Sequence, residues 1–147
     1  SLALFCDFVY ATPRSKFADP HVSVGLVAGD GGCVMWPQLI GYARAKKYLL
    51  TGEVIPANNA LDMGLITEVI EEGEIDAAVL ELAEKLRDGA KYAIRWTKTS
   101  INAGLKVIAN SIIDRAAAFE NVTQLMEDHK IALQAFSDKE VPKFKQK

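Results

Sequence analysis

Apolar positions fall into two regimes along the chain. Up to residue 70 they come in short runs, broken by glycine and proline. Beyond it they recur every three or four residues, the spacing of a helix buried on one side. In the first regime, residues 2–5 read as the end of a helix, and Phe8-Val9-Tyr10-Ala11 as a short β-rich strand. Thr12-Pro13-Arg14-Ser15 is a turn. A polar-studded, extended piece through His21 then leads into an apolar run over residues 22–27. Gly29-Asp30-Gly31-Gly32 follows as a turn that permits close backbone approach, and a helix starting there is expected to end near Gly41. A second helix covers 42–50 and stops at Thr51-Gly52. Pro56 suits the first turn of a short helix running to Met63, with Gly64 as its stop, and 65–70 reads as a strand.

The second regime is helical. Ile75, Ala78, Val79, Leu82 and Leu86 share one face, with Glu81, Glu84, Lys85 and Arg87 directed outward. Residues 90–105 predict another helix, and Ile108, Ile112, Ala116, Phe119 and Met126 mark a longer one. Val122 and Leu125 fall off that stripe, so this helix is expected to be covered on a second side. The last helix spans 128–136. Repeats, low-complexity tracts and linkers are absent from the sequence. Two or three short strands are too few for an independent sheet with an apolar face. The helices are therefore expected to pack on material outside these 147 residues.

Composition narrows the function classes. A net charge of −2 and a pI near 5.7 give no basic face for neutralising phosphates, so no nucleic-acid partner is expected. Apolar runs all fall short of the ~20 residues needed to span a bilayer, so no membrane partner is expected either. The start, Ser1 to Asp7, has neither an initiator methionine nor the basic run of a signal peptide, and reads as the middle of something longer. Cys6 and Cys33 lack metal-site or redox spacing. They read as free, buried thiols in a reducing compartment, which suggests a cytoplasmic protein.

Four positions are candidates for chemistry. His21 reads either as a structural histidine or as an acid/base, a task its ordinary pKa near ~6.5 suits. Asp30 lies nine residues on, across the apolar run. It reads as a turn or N-cap residue, or as the carboxylate that holds His21 in one tautomer. Gly29 offers a backbone N–H at a helix entrance, suited to polarising a water or an oxyanion. Glu120 sits at the edge of the apolar stripe, one turn after Ala116, as a boundary carboxylate or as an acid entering a pocket. Trp36 and Trp96 read as packing residues, and Lys143, Lys145 and Lys147 as a solvated tail or a contact to phosphates. Gly-Asp-Gly-Gly matches neither a dinucleotide fingerprint nor a P-loop. Asp128-His129 lacks a third ligand, so no metal is expected.

The stretch from Phe17 to Gly32, with Leu49-Leu50-Thr51-Gly52 and the run from Ala60 to Val69, resembles the crotonase (enoyl-CoA hydratase/isomerase) superfamily. The resemblance covers essentially the whole chain and matches the second half of that family's domain. It implies an α/β fold, a spiral of ββα units, of which this chain carries the C-terminal, mostly helical part. Residues 1–70 would close the spiral core, and 71–147 would form a helical region that builds homo-trimers or dimers of trimers.

The resemblance also implies acyl-CoA substrates, an enolate stabilised by two backbone N–H donors outside this chain, and no cofactor beyond the substrate's own coenzyme A. By alignment, the two glutamates of typical hydratases fall on Ser1 and His21, so a His21–Asp30 pair would replace them. Gly29 matches a glycine that positions the reacting water. A subset of the superfamily hydrolyses carbon–carbon bonds of β-diketones with a His–Asp pair and a late-helix glutamate, which Glu120 would match. A half-domain serving assembly without catalysis is the remaining alternative.

Overall fold

The computed structural model describes residues 1–144. Lys145 and Lys147 of the basic tail lie outside the described residues. A 3₁₀ turn, Leu2–Phe5, opens the chain. The elements that follow are β1 (Tyr10–Ala11), β2 (Lys16–Phe17), a second 3₁₀ turn (His21–Val24), α1 (Gly32–Ile40), α2 (Tyr42–Thr51), β3 (Ile55–Pro56) and α3 (Ala57–Asp62). The chain then continues through β4 (Glu68–Val69), α4 (Ile75–Asp88), α5 (Lys91–Gln124) and α6 (Glu127–Ser137). The strands are two residues each. β1 runs parallel to β4, with Tyr10 opposite Glu68, and β2 antiparallel to β3, with Lys16 opposite Pro56.

One core organises the first half. Val34, Met35, Trp36 and Ile40 of α1 pack with Leu4, Ala45, Ile55, Ala57, Ala60, Leu65 and Ile66. Trp36 stacks at a tilt on Tyr48 of α2, with ring centroids 6.2 Å apart. Leu105, Ala109, Ile112 and Ile113 bring the middle of α5 onto this core. That contact carries the C-terminal half of α5 to the loop between β2 and α1. α2 ends as its sequence predicts: Gly52 adopts φ 68°, a left-handed turn that stops the helix, and its N–H returns to the Tyr48 carbonyl.

Four expectations are corrected. The segment from His21 is a 3₁₀ turn rather than an extended piece, closed by Gly25 at φ 70°. The helices expected over 90–105 and beyond 108 are one 34-residue helix, about 51 Å long at 1.5 Å per residue. Its lone Gly104 costs only ~1 kcal/mol, and the packing of Leu105, Ala109, Ile112 and Ile113 on the core outweighs that. Cys6 is exposed and Cys33 half-buried, so the thiols are free but not both buried. Trp96 is 68% exposed and touches Tyr92, so it does not fill a core within the described residues.

Candidate active site

Asp19, Pro20 and His21 set up the site locally. An aspartate two residues before an N–H closes an Asx turn. Asp19 does this: its Oδ1 accepts the His21 backbone N–H at 3.3 Å. The same oxygen lies 2.6 Å from Nδ1 of the His21 ring. Asp19 is 5% exposed, the most deeply buried charged group among the described residues. Its other oxygen abuts Gly32 at the start of α1, where a Cβ would stand only 2.2 Å away. A helix N-terminus favours an anion in that place.

The opposite ring nitrogen faces two more carboxylates. His21 Nε2 is 4.0 Å from Asp30 Oδ1 and 3.9 Å from Glu120 Oε1. The His21 and Glu120 side chains are largely buried, and that of Asp30 is half exposed. Asp30 is steadied from the other side by the Ser1 hydroxyl, which donates to Oδ1 at 2.9 Å. Glu120 arrives on α5. Gly29 lets it come close: a Cβ there would meet the Ala116 carbonyl at 2.5 Å and Glu120 Oε2 at 2.6 Å. The helical end of the chain also clamps the loop. Thr123 Oγ1 accepts the Val27 N–H at 3.3 Å, and the His129 ring Nδ1 donates to the Val24 carbonyl at 2.8 Å. Asp128 and His129 thus belong to a packing contact, where Gly25 admits the α6 backbone.

A cleft of about 230 Å³ opens beside these groups. Ser1, Leu4, Lys16, Phe17, Asp19, His21, Asp30 and Trp36 are among its walls. Ligand pockets usually hold ~300–1,000 Å³, so this cleft has room for the reacting end of a molecule rather than a whole coenzyme A ester. Cys33 stands by the same carboxylates. Burial first, then the charges of Asp19 and Asp30, push its thiol above the ordinary value. It therefore stays protonated at neutral pH and is no nucleophile.

Asp19, His21 and Asp30 each offer a ligand atom within 4.8 Å of the others. The 2.6 Å separation of Asp19 Oδ1 from His21 Nδ1 is a hydrogen bond. Two ligands of one cation stand about 3 Å apart or more, given metal–ligand bonds near ~2.1 Å.

The structure corrects three readings of this segment. Asp30 lies the span of one bridging water from His21, at 4.0 Å, while the direct hydrogen bond is with Asp19. The spacing of nine residues drew attention to the wrong aspartate, while the Asp-Pro-His triplet carried the Asx-turn signal. Asp30 is not the N-cap of α1 either, a place taken by Gly31 at φ 128°. The Gly29 N–H is not free to polarise a water, because it donates to the Val27 carbonyl at 2.8 Å. Gly29 contributes instead by the absence of a side chain.

Known proteins share this architecture. The enoyl-CoA hydratase/isomerase family profile matches residues 1–147. A short-chain-enoyl-CoA hydratase of Clostridioides difficile is 35% identical over 113 residues, which are 77% of this chain and 73% of that protein. A crotonyl-CoA hydratase of Syntrophomonas wolfei is 32% identical over 147 residues, 97% of this chain and 55% of the relative. The structure of a carnitinyl-CoA dehydratase from Mycobacterium avium superposes with a TM-score of 0.91 at 32% identity, covering 99% of this chain and 58% of that one. The chain thus spans little more than half the length of most of these relatives. A profile match from end to end, with a shared crotonase fold, places the chain in the enoyl-CoA hydratase/isomerase family.

Proposed function

We propose that this chain carries the acid/base half of an enzyme acting on acyl-CoA thioesters by hydration or isomerisation. The observation that carries the reading is the convergence of Asp30 and Glu120 on Nε2 of His21, at 4.0 and 3.9 Å. One water held about 2.8 Å from two such groups spans about 4 Å when its bonds open near a right angle. In that place His21 takes the water's proton as its oxygen bonds to the β-carbon of an enoyl thioester. The π electrons pass to the thioester oxygen, and the enolate collapses as the proton taken by His21 is handed through Glu120, 3.9 Å from Nε2, to the α-carbon, which leaves both side chains as they began. The similar proteins named as short-chain-enoyl-CoA and crotonyl-CoA hydratases support this choice of substrate class. His21 takes the place of a glutamate, which changes the base but not the proton count.

A second reading is retro-Claisen hydrolysis of a β-diketone, favoured by the approach of the late-helix Glu120 to a histidine ring. There the water at His21 attacks a carbonyl carbon, and the carbon–carbon bond breaks to release an enolate. A substrate panel separates the readings. Enoyl-CoA esters and cyclic β-diketones are offered to this chain and to the longest polypeptide its gene encodes. Turnover of enoyl-CoA that His21→Ala abolishes supports the first reading. Turnover of the diketones alone replaces it with the second, and silence on both leaves an assembly role. Coenzyme A enters only as part of the substrate, and no separate cofactor is proposed. Assembly as a homo-trimer or a dimer of trimers through the helical region belongs to the same proposal, as does a cytoplasmic location. Among the described residues no helix is long and apolar enough to cross a membrane.

A further inference from the structure

We propose that Asp19 is the positioning residue that locks the His21 ring in its Nδ1–H tautomer and turns Nε2 to the cleft. This rests on the reading of His21 as the acid/base. A carboxylate is acceptor-only, so the 2.6 Å contact requires the proton on Nδ1 when the imidazole is neutral. Because Oδ1 also accepts the His21 backbone N–H, the carboxylate grips one residue at two points and fixes the ring relative to its own main chain. Oδ2 sits against the start of α1, in space that the missing side chain of Gly32 leaves open. Burial and these contacts hold the carboxylate in place, and the ring cannot flip without losing its partner.

Asp30 cannot do this. It is 4.0 Å from the ring, half exposed, and bonded to Ser1. Its place is on the reactive side with Glu120. The aspartate that orients and the two carboxylates that face the reacting water thus lie at opposite ends of one imidazole. In a neutral His21, Nε2 then presents a lone pair to the cleft. The hydrogen bond at the other nitrogen decides which ring nitrogen reacts.

The test is long-range ¹H–¹⁵N correlation spectroscopy on the ¹⁵N-labelled chain at alkaline pH. The chain has only two histidines, and loss of one signal in His21→Gln assigns them. The expected spectrum of His21 has Nδ1 protonated and Nε2 bare. Asp19→Ala should release the ring to Nε2–H or to exchange between the two forms. Asp19→Asn keeps an oxygen acceptor and should restore Nδ1–H. Gly32→Ala should loosen the lock through Asp19, whereas Asp30→Ala should leave the tautomer unchanged. A wild-type ring with Nε2 protonated overturns the proposal, even if Asp19→Ala fails to fold. So does a tautomer that follows Asp30 rather than Asp19. In the enzyme assay, Asp19→Ala should lower kcat by about 10²-fold or more with KM little changed, as a wrong tautomer does. Full turnover in His21→Ala would refute the functional reading on which the role rests, while the spectrum would still show which aspartate holds the ring.

Discussion

Gly29→Ala and Gly104→Ala make the same chemical change and should have opposite effects. At Gly29 the new methyl would lie 2.5 Å from the Ala116 carbonyl oxygen and 2.8 Å from Glu120 Cβ. Ordinary contacts begin near ~3.5 Å, so the loop and α5 must part by about an ångström. The Ala116 oxygen belongs to helix backbone and cannot rotate aside. Overpacking of this kind costs about 1–3 kcal/mol. At Gly104 nothing lies within 4 Å and the residue is exposed on α5. Alanine there should stabilise by about 0.5–1 kcal/mol, because glycine is the poorer helix former.

Urea denaturation followed by tryptophan fluorescence measures both, since Trp36 is 3% exposed and reports on the core that α5 covers. With an m-value of ~1–3 kcal/mol/M, a loss of ~2 kcal/mol lowers the midpoint by roughly 1 M. The Gly29 variant should also widen the His21–Glu120 gap and lose turnover out of proportion to its stability. An unchanged midpoint for Gly29→Ala would refute the claim that this glycine exists to admit α5. A fall for Gly104→Ala would refute the reading of Gly104 as a tolerated, unpacked position.

Glu120→Gln should lower turnover by about 10²-fold, the scale of a lost general acid/base, with little loss of stability; unchanged kinetics in a folded variant would remove Glu120 from the mechanism. Cys33 should alkylate more slowly than the exposed Cys6 and with a pH midpoint above the ordinary thiol range, which Asp30→Asn should lower; a midpoint at the ordinary thiol value would contradict the burial and charge assigned to Cys33. Its raised thiol pKa also means that the folded state holds this proton longer than the unfolded chain, so the contribution to stability falls as pH rises through the ordinary thiol range, measurable as a falling midpoint in denaturation at high pH. The helical region should associate, because Trp96, Ile101, Val107, Phe119, Leu125 and Phe136 are all more than half exposed; a monodisperse monomer in light scattering would count against this.

Local signals were enough for several elements. Gly31-Gly32 marks the start of α1, Gly52 the end of α2 and Pro56 the approach to α3, because each acts through its own φ angle or its missing N–H. Helical periodicity located α4, whose apolar stripe is local to the sequence although Ile75, Ala78 and Leu82 are only half-buried in the structure. His21, Asp30 and Glu120 could be picked out as chemical groups with few local uses, but their mutual distances could not. Those depend on α5 crossing the core at Leu105–Ile113 and on Gly29 leaving room for it. The choice of Asp19 over Asp30 as the partner of His21 turned on a single 3₁₀ turn, which tilts the ring back toward its own chain. The continuity of α5 past Gly104 likewise shows no sharp sequence mark, since the cost of one glycine is small against the packing of Leu105, Ala109, Ile112 and Ile113 beyond it. The sequence thus determined where the chain bends and which residues have chemistry to offer. Only the tertiary structure decided which of them meet, because an angstrom-scale meeting is the sum of many packing contacts and no single residue carries it.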